Sequence, residues 1–203
     1  MDSRFSNILV LIDNGHGIDT AGKRSPDGRL LEYSYTREIA VRVAEGLKEL
    51  GVEAVRLVPE EKDITLMERC NRANAIHAST SKEVILVSIH CNAAGIGKDW
   101  LKANGWQVCI YPKASSKTKK LASSLASETE KLNLKVRRPT HGQDFWMQNL
   151  AICRDTTMPA VLTENLFMDN KAEVDYLLSE QGKETVAKLH INGIVAYINE
   201  LLL

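Results

Sequence analysis

The sequence lacks paired-cysteine motifs, long apolar runs and any excess of charge of one sign, and each absence excludes a class of protein. Its 203 residues include 26 basic and 26 acidic side chains, for a formal net charge of +0, so we expect no binding of nucleic acid. No apolar stretch approaches the length of a membrane span, so we expect no membrane insertion. There are no internal repeats, low-complexity tracts or linkers, which predicts a single domain over 1–203.

The cysteines are scattered singly along the chain, at Cys70, Cys91, Cys109 and Cys153. None forms a C-x-x-C pair, so neither a zinc knuckle nor a redox motif is indicated, and we expect reduced, buried thiols. Cys91 follows a histidine, which suggests a nucleophile, but neighbours in a strand point to opposite faces. We therefore expect Cys91 to be structural.

Hydrophobic periodicity predicts strands alternating with helices, which indicates an α/β fold with a mostly parallel, twisted sheet. The run from Val84 to Ile89 is almost entirely apolar and β-branched, as in a strand covered on both faces. The other predicted strands cover 8–12, 53–58, 106–111, 150–153 and 160–163. The predicted helices cover 31–50, 65–78, 115–132, 170–178 and 182–202.

Polar residues follow three of the predicted strands at the points where these strands end. His16 follows the first strand, His90 ends the central strand, and Glu164 ends the last. The carboxyl ends of parallel strands share one edge of a sheet, where ligands bind in open α/β folds. A long loop, 18–29, then leads to Glu32 at the start of the first helix. Each residue alone has an ordinary interpretation as a core histidine, a surface charge or a glutamate at a helix N-terminus.

Together these residues have the composition of a catalytic zinc site. Two imidazoles, one carboxylate and an open position are typical of such sites. Zinc activates water and polarises a carbonyl, while a second carboxylate carries a proton from the water to the leaving amine. Glu164, next to apolar residues that would raise its pKa, is our candidate for that carboxylate.

Four motifs in this order resemble the zinc-dependent N-acetylmuramoyl-L-alanine amidases of the Amidase_3 type, which include catalytic domains of phage endolysins. The motifs are Asp13-Asn-Gly-His-Gly17, Leu31-Glu32, Ser88-Ile-His-Cys-Asn-Ala93, and Pro159-Ala-Val-Leu-Thr-Glu164 with Phe167 and Asn170. The resemblance implies a sheet of about six strands flanked by helices. It also implies Zn²⁺ held by His16, Glu32 and His90, with Glu164 as the catalytic acid/base.

The same resemblance assigns supporting roles around the zinc ligands. Asp13 and Asn92 lie within its motifs, where we expect them to orient the ligands. The sequence departs from the usual pattern at Asn14, where proline is common, and at Asn165, where a small residue is common. Neither departure removes a ligand.

The segment 136–149 matches the family poorly. Arg137, Arg138, His141 and Trp146 in it could contact a stem peptide or a sugar, or could serve packing and solubility, and the sequence favours neither. The lysines Lys117, Lys119 and Lys120 are interpreted as a solvated helix face.

The predicted activity is hydrolysis of the amide bond between N-acetylmuramic acid and L-alanine in peptidoglycan, by a monomer. The alternatives are a zinc peptidase that cuts within the stem peptide and an inactive peptidoglycan-binding module. The substrate is extracellular or periplasmic, yet residues 1–7 lack the pattern of a signal peptide. A phage lysin made in the cytoplasm and released through a membrane pore fits these facts, and so does a chain whose leader has been trimmed.

Overall fold

Strands and helices alternate along the chain, as the periodicity predicts. The computed structural model describes residues 5–96 and 98–202. In these ranges the strands are β1 (Ile8–Asn14), β2 (Glu53–Arg56), β3 (Glu83–Asn92), β4 (Gln107–Ile110), β5 (Trp146–Met147) and β6 (Ala160–Phe167). The helices there are α1 (Glu32–Glu49), α2 (Leu66–Ala78), α3 (Ser116–Lys131), α4 (Ala151–Arg154), α5 (Lys171–Leu178) and α6 (Glu180–Leu201).

The strands form one six-stranded sheet in the order β2-β1-β3-β6-β4-β5. β1, β2, β3 and β6 are mutually parallel, because a helix or a long connection returns the chain between them. β4 is antiparallel to β6, and the short β5 is parallel to β4. The prediction of a single α/β domain with a mostly parallel sheet of about six strands is confirmed.

The apolar core lies in two layers, one on each face of the sheet. β3 contributes to both because its side chains alternate between the faces: Ile85, Val87 and Ile89 enter one layer, while Val84 and Leu86 enter the other. All five are at most 1% exposed. The larger layer packs under α1, α3 and α6, and the smaller packs under α2 and α4.

The prediction of a strand at 150–153 is wrong. This segment turns into α4, where the carbonyl of Leu150 accepts bonds from the N–H groups of Cys153 and Arg154. Its buried pair, Ile152 and Cys153, is too short a pattern to distinguish a strand from one helical turn. The edge of the sheet is instead formed by β5, in a segment where no strand was predicted.

All four cysteines are free and buried, as expected. Cys91 is 4% exposed in the larger core layer, and burial, with a smaller effect from Glu32, raises the pKa of its thiol well above the usual value. A thiol that stays protonated is a poor nucleophile. Among the helices of the two described ranges, none is both long and apolar enough to cross a membrane.

Candidate metal centre

The ends of β1 and β3 bring two histidines together. The N–H of Gly15 donates to the carbonyl of Ile89 at 2.9 Å, which holds the turn after β1 against β3. The rings of His16 and His90 then meet edge to face, with their centroids 5.0 Å apart. A Cβ at position 15 would lie 2.4 Å from the His90 ring, so only glycine fits there.

The third member, Glu32, arrives from the first turn of α1. Its Oε2 lies 3.4 Å from His16 Nε2, and its Oε1 lies 3.3 Å from His90 Nδ1. The backbone N–H of Cys91 donates to Oε1 at 3.0 Å, and the N–H of Glu32 donates to the carbonyl of Lys23 at 3.0 Å. These bonds fix the carboxylate between the two imidazoles.

The geometry of these side chains fits a divalent metal ion. One ligand atom from each of His16, Glu32 and His90 lies within 4.8 Å of the other two. Metal–ligand bonds in a tetrahedral zinc site would place ligand atoms about 3.3–3.6 Å apart, close to the two separations given above. Glu32 Oε2 is also buried without a hydrogen-bond partner in the described part of the chain. Because an unpaired buried carboxylate oxygen is costly, this atom favours a cation beside it.

The electrostatics of the cluster also favour a cation beside Glu32. Burial alone would raise the pKa of Glu32, but His16 and His90 outweigh it and lower the pKa well below its usual value. Burial would lower the pKa of His90, but the carboxylate of Glu32 outweighs it and raises the pKa. The site therefore stabilises a negative carboxylate and recruits positive charge next to it.

Glu164 lies beside this cluster on the neighbouring strand, directly opposite His90 in the β3–β6 register. Its Oε2 is buried and, within residues 5–96 and 98–202, has no hydrogen-bond partner. Burial raises its pKa to about 7, with an opposing effect of His90, a further raising effect of Glu32 and a lowering effect of Lys23. This carboxyl can therefore gain and lose a proton near neutral pH.

Asn165 is a site residue whose importance was not apparent from the sequence. The register of β3 and β6 shifts after Glu164, and Leu166 adopts a positive φ of 64°. Such bulges re-aim side chains next to active sites. Within this bulge the Asn165 amide donates to the carbonyl of His90 at 2.9 Å and accepts from the indole N–H of Trp106 at 2.9 Å. One sign of this role is visible in the sequence, because asparagine at position 165 stands where the resembling family commonly has a small residue.

Asp13 acts on the cluster through Arg69. The Asp13 carboxylate accepts from the Ser88 hydroxyl and pairs with the Arg69 guanidinium. Arg69 also donates to the carbonyls of Asn14, at 2.7 Å, and His16, at 3.3 Å. These bonds hold the turn in which His16 has a positive φ of 63°. No role for Arg69 was predicted from the sequence.

The remaining predicted residues lie apart from these contacts. Asn92 Oδ1 accepts from the backbone N–H of Ala93, at 2.9 Å, within its own loop. Asn14 is fully buried, and its side-chain atoms have no hydrogen-bond partner among the described residues.

The segment 136–149 is largely occupied by its own contacts. Arg138 pairs with Glu130 and Asp144, and the Trp146 indole donates to the carbonyl of Arg137. His141 is exposed. The structure gives these side chains no contact with the metal cluster.

A cavity of about 420 Å³ opens beside the two imidazoles. Apolar side chains dominate part of its wall, including Ile64, Leu150, Ile152 and Leu162. The side chains of His16 and His90 are 19% and 18% exposed, so the site can be reached from outside.

Comparisons with known proteins identify relatives of this chain. A family model described as N-acetylmuramoyl-L-alanine amidase (Amidase_3) matches residues 10–196. The chain is 32% identical over 199 residues to the endolysin of Bacillus phage SPP1, covering 94% of this chain and 66% of that protein. It is 28% identical over 194 residues to the N-acetylmuramoyl-L-alanine amidase CwlM of Bacillus licheniformis, covering 95% and 69%. The chain thus spans about two thirds of the length of these relatives.

A solved structure shows the same fold. The N-acetylmuramoyl-L-alanine amidase from Clostridium difficile 630 superposes with a TM-score of 0.81 at 26% identity, covering 95% of this chain and 97% of that one. The family match includes all three candidate metal ligands and Glu164. On this evidence the chain belongs to the Amidase_3 family of N-acetylmuramoyl-L-alanine amidases.

Proposed function

We propose that the chain is a zinc-dependent hydrolase that opens the amide bond between the lactyl group of N-acetylmuramic acid and L-alanine in peptidoglycan. The observation that carries this proposal is the convergence of His16, Glu32 and His90 within 4.8 Å, beside Glu164, whose Oε2 is buried. When bound by these three side chains, zinc supplies Lewis acidity, which polarises a carbonyl and makes water nucleophilic near neutral pH.

Glu164 carries the proton in the proposed reaction. Its carboxylate removes a proton from the attacking water and then delivers it to the nitrogen of L-alanine as the C–N bond breaks. Its pKa of about 7 suits both steps, because a carboxyl of this kind is neither fully charged nor fully neutral at neutral pH.

Glu32 and the backbone keep the reacting groups in place. The N–H of Cys91 fixes one oxygen of Glu32, so the other oxygen is directed toward His16. Asn165 holds the carbonyl of His90, and Arg69 holds that of His16. Orientation of ligands by such bonds is a general requirement of metal sites.

The test is to identify the bond that the protein opens. Purified peptidoglycan digested with the zinc-loaded protein should release peptides with a free L-alanine amino group, which mass spectrometry detects. A new amino terminus inside the stem peptide would instead show a peptidase. Binding to the wall without release of fragments would show an inactive module.

The place of action follows from the substrate. Peptidoglycan lies in the cell wall, so we propose that the chain acts there, outside the cytoplasmic membrane. The relatives named endolysin and amidase support this proposal.

A further inference from the structure

Three basic side chains in the loops after β1 and β3 have no anionic partner in the described part of the chain. Lys23 and Arg24 lie in the loop after β1, and Lys98 lies in the loop after β3. The structure gives no ion pair or side-chain hydrogen bond for any of them. Arg24 and Lys98 are exposed, and Lys23 is half-buried.

Backbone bonds tie this basic segment to the metal site. The carbonyl of Lys23 accepts from the N–H of Glu32, and Arg24 pairs with Leu31 in an antiparallel bridge. Lys23 also lies close enough to Glu164 for its charge to act on that carboxyl, after the larger effects of burial, His90 and Glu32. The segment is therefore positioned by the same residues that deliver Glu32.

A cavity of about 330 Å³ lies between the two loops. Its lining consists of Gly22, Arg24, Ser25, Pro26, Ile96 and Lys98. We use the name basic cleft for this cavity and for Lys23, which is not part of the lining but lies between Gly22 and Arg24 in the chain. Both loops follow strands that end at the metal site, so the basic cleft lies at the same edge of the sheet.

Two other arginines are already compensated by carboxylates. Arg69 pairs with Asp13 and Asp63, and Arg138 pairs with Glu130 and Asp144. Uncompensated charge of one sign in a cleft attracts ligands of the opposite sign. The basic cleft is thus suited to an anion, and the backbone bond between Lys23 and Glu32 joins its loop to the metal site.

In the proposed reaction Glu164 delivers its proton to the departing peptide nitrogen, so we assign the loop whose Lys23 acts on Glu164 to the peptide side of the scissile bond. We propose that the basic cleft binds a carboxylate of the peptide attached to the scissile amide, through Lys23, Arg24 and Lys98. This inference rests on the proposed function. Lysine and arginine bind carboxylates by charge-assisted hydrogen bonds.

The experiment compares two soluble substrates that differ only in charge. They are N-acetylmuramoyl-L-alanyl-D-glutamate and the same compound with its glutamate carboxylates converted to carboxamides. The zinc-loaded protein should hydrolyse the acid with a kcat/KM about two- to fivefold above that of the amide, the upper part of the range expected for one exposed ion pair. The preference should shrink at high salt, which screens exposed charges.

The test variant combines Lys23→Gln, Arg24→Gln and Lys98→Gln, and its ratio of the two kcat/KM values should approach one. The matched control combines Lys113→Gln, Lys119→Gln and Lys188→Gln, which removes the same charge from exposed lysines elsewhere. The control should keep the wild-type ratio. Bound zinc, measured in both variants, separates loss of selectivity from loss of the site.

Four results would overturn the inference. A wild-type ratio near one, with both substrates cleaved, would remove the basic cleft from substrate binding and leave the proposed function intact. A test variant that keeps the wild-type ratio, or a control that loses it as the test variant does, would also contradict the assignment. A protein that cleaves neither substrate nor peptidoglycan would refute the proposed function itself, and the inference with it.

Discussion

At the scale of single residues, the two carboxylates of the site, Glu32 and Glu164, have opposite environments. Glu32 is held between His16 and His90, which lower its pKa, whereas burial without a paired cation raises that of Glu164 to about 7. Such a pair separates the role of a permanently charged ligand from that of a proton carrier. The two residues should therefore respond differently to the same substitution.

Glu164→Gln should reduce turnover by about a hundredfold or more while zinc stays bound, because the amide cannot accept the proton of water. Steady-state hydrolysis and elemental analysis of the same sample measure both quantities. Glu32→Gln is the matched comparison, and it should lose zinc because it removes a charged ligand. Near-normal turnover of Glu164→Gln would eliminate Glu164 as the proton carrier.

A second residue-scale prediction concerns His190, which is fully buried in α6. Its Nδ1 donates to the carbonyl of Val186, so Nε2 accepts from the Thr163 hydroxyl and the neutral ring is satisfied. Burial lowers its pKa to about 4, and the bond to Val186 only partly opposes this. The sequence did not reveal Thr163 as its partner, because the two lie far apart in the chain.

The unfolded state of the protein therefore takes up a proton on His190 before the folded state does. The contribution of neutral His190 to the free energy of unfolding should be fully present above pH 6.5. It should be lost as the pH falls toward 4, by about 3 kcal/mol in total. Denaturant unfolding of wild type and His190→Gln across this range measures the effect as the difference between the two curves. A difference that stays constant with pH would show that His190 does not titrate as described.

At the scale of elements, the turn after β1 depends on a side chain from α2. Arg69 bonds to the carbonyls of Asn14 and His16 and pairs with the buried Asp13. Arg69→Lys should lower the affinity for zinc about 10–100-fold, because a lysine cannot reproduce this set of directed bonds. Chelator competition measures the affinity, and thermal unfolding of the metal-free protein measures stability separately.

Arg72→Lys, on the same helix, is the control for that substitution. Arg72 forms ion pairs with Glu60 and Glu68 on the surface and should leave zinc affinity unchanged. If Arg69→Lys bound zinc as tightly as Arg72→Lys does, Arg69 would have no part in positioning His16.

The elements also show which parts of the fold could be predicted. The apolar run of β3 identified a doubly covered strand, because burial on both faces leaves a continuous signal in the sequence. The short helix α4 was mistaken for a strand, since four residues cannot show a period. The bulge at Leu166 and the bonds of Asn165 depend on the register between β3 and β6, which a single sequence does not contain.

For the site, the sequence identified the candidate residues but not the hydrogen bonds that orient them. Strand ends and the family resemblance identified His16, Glu32, His90 and Glu164, and the structure brings the first three together with Glu164 alongside. The bonds from Cys91 and Arg69 that orient these side chains come from tertiary packing. Sequence motifs therefore indicated the chemistry, while the three-dimensional contacts show how it is held in place.

At the scale of the whole molecule, metal binding should stabilise the fold. A ligand present at about a thousandfold its dissociation constant adds about 4 kcal/mol, which corresponds to roughly 10 °C in Tm for a chain of this size. Chelation should lower the Tm of the wild-type protein by that amount. The same treatment should leave the Tm of His90→Ala nearly unchanged, and an equal shift in both would contradict a site that includes His90.

The most direct test of the account is the zinc content of the purified chain, measured by elemental analysis. The arrangement of His16, Glu32 and His90 predicts one zinc ion per chain in the wild type and almost none in His16→Ala, Glu32→Ala or His90→Ala. Full zinc occupancy in these variants, or no zinc bound by the wild-type protein after loading, would contradict it.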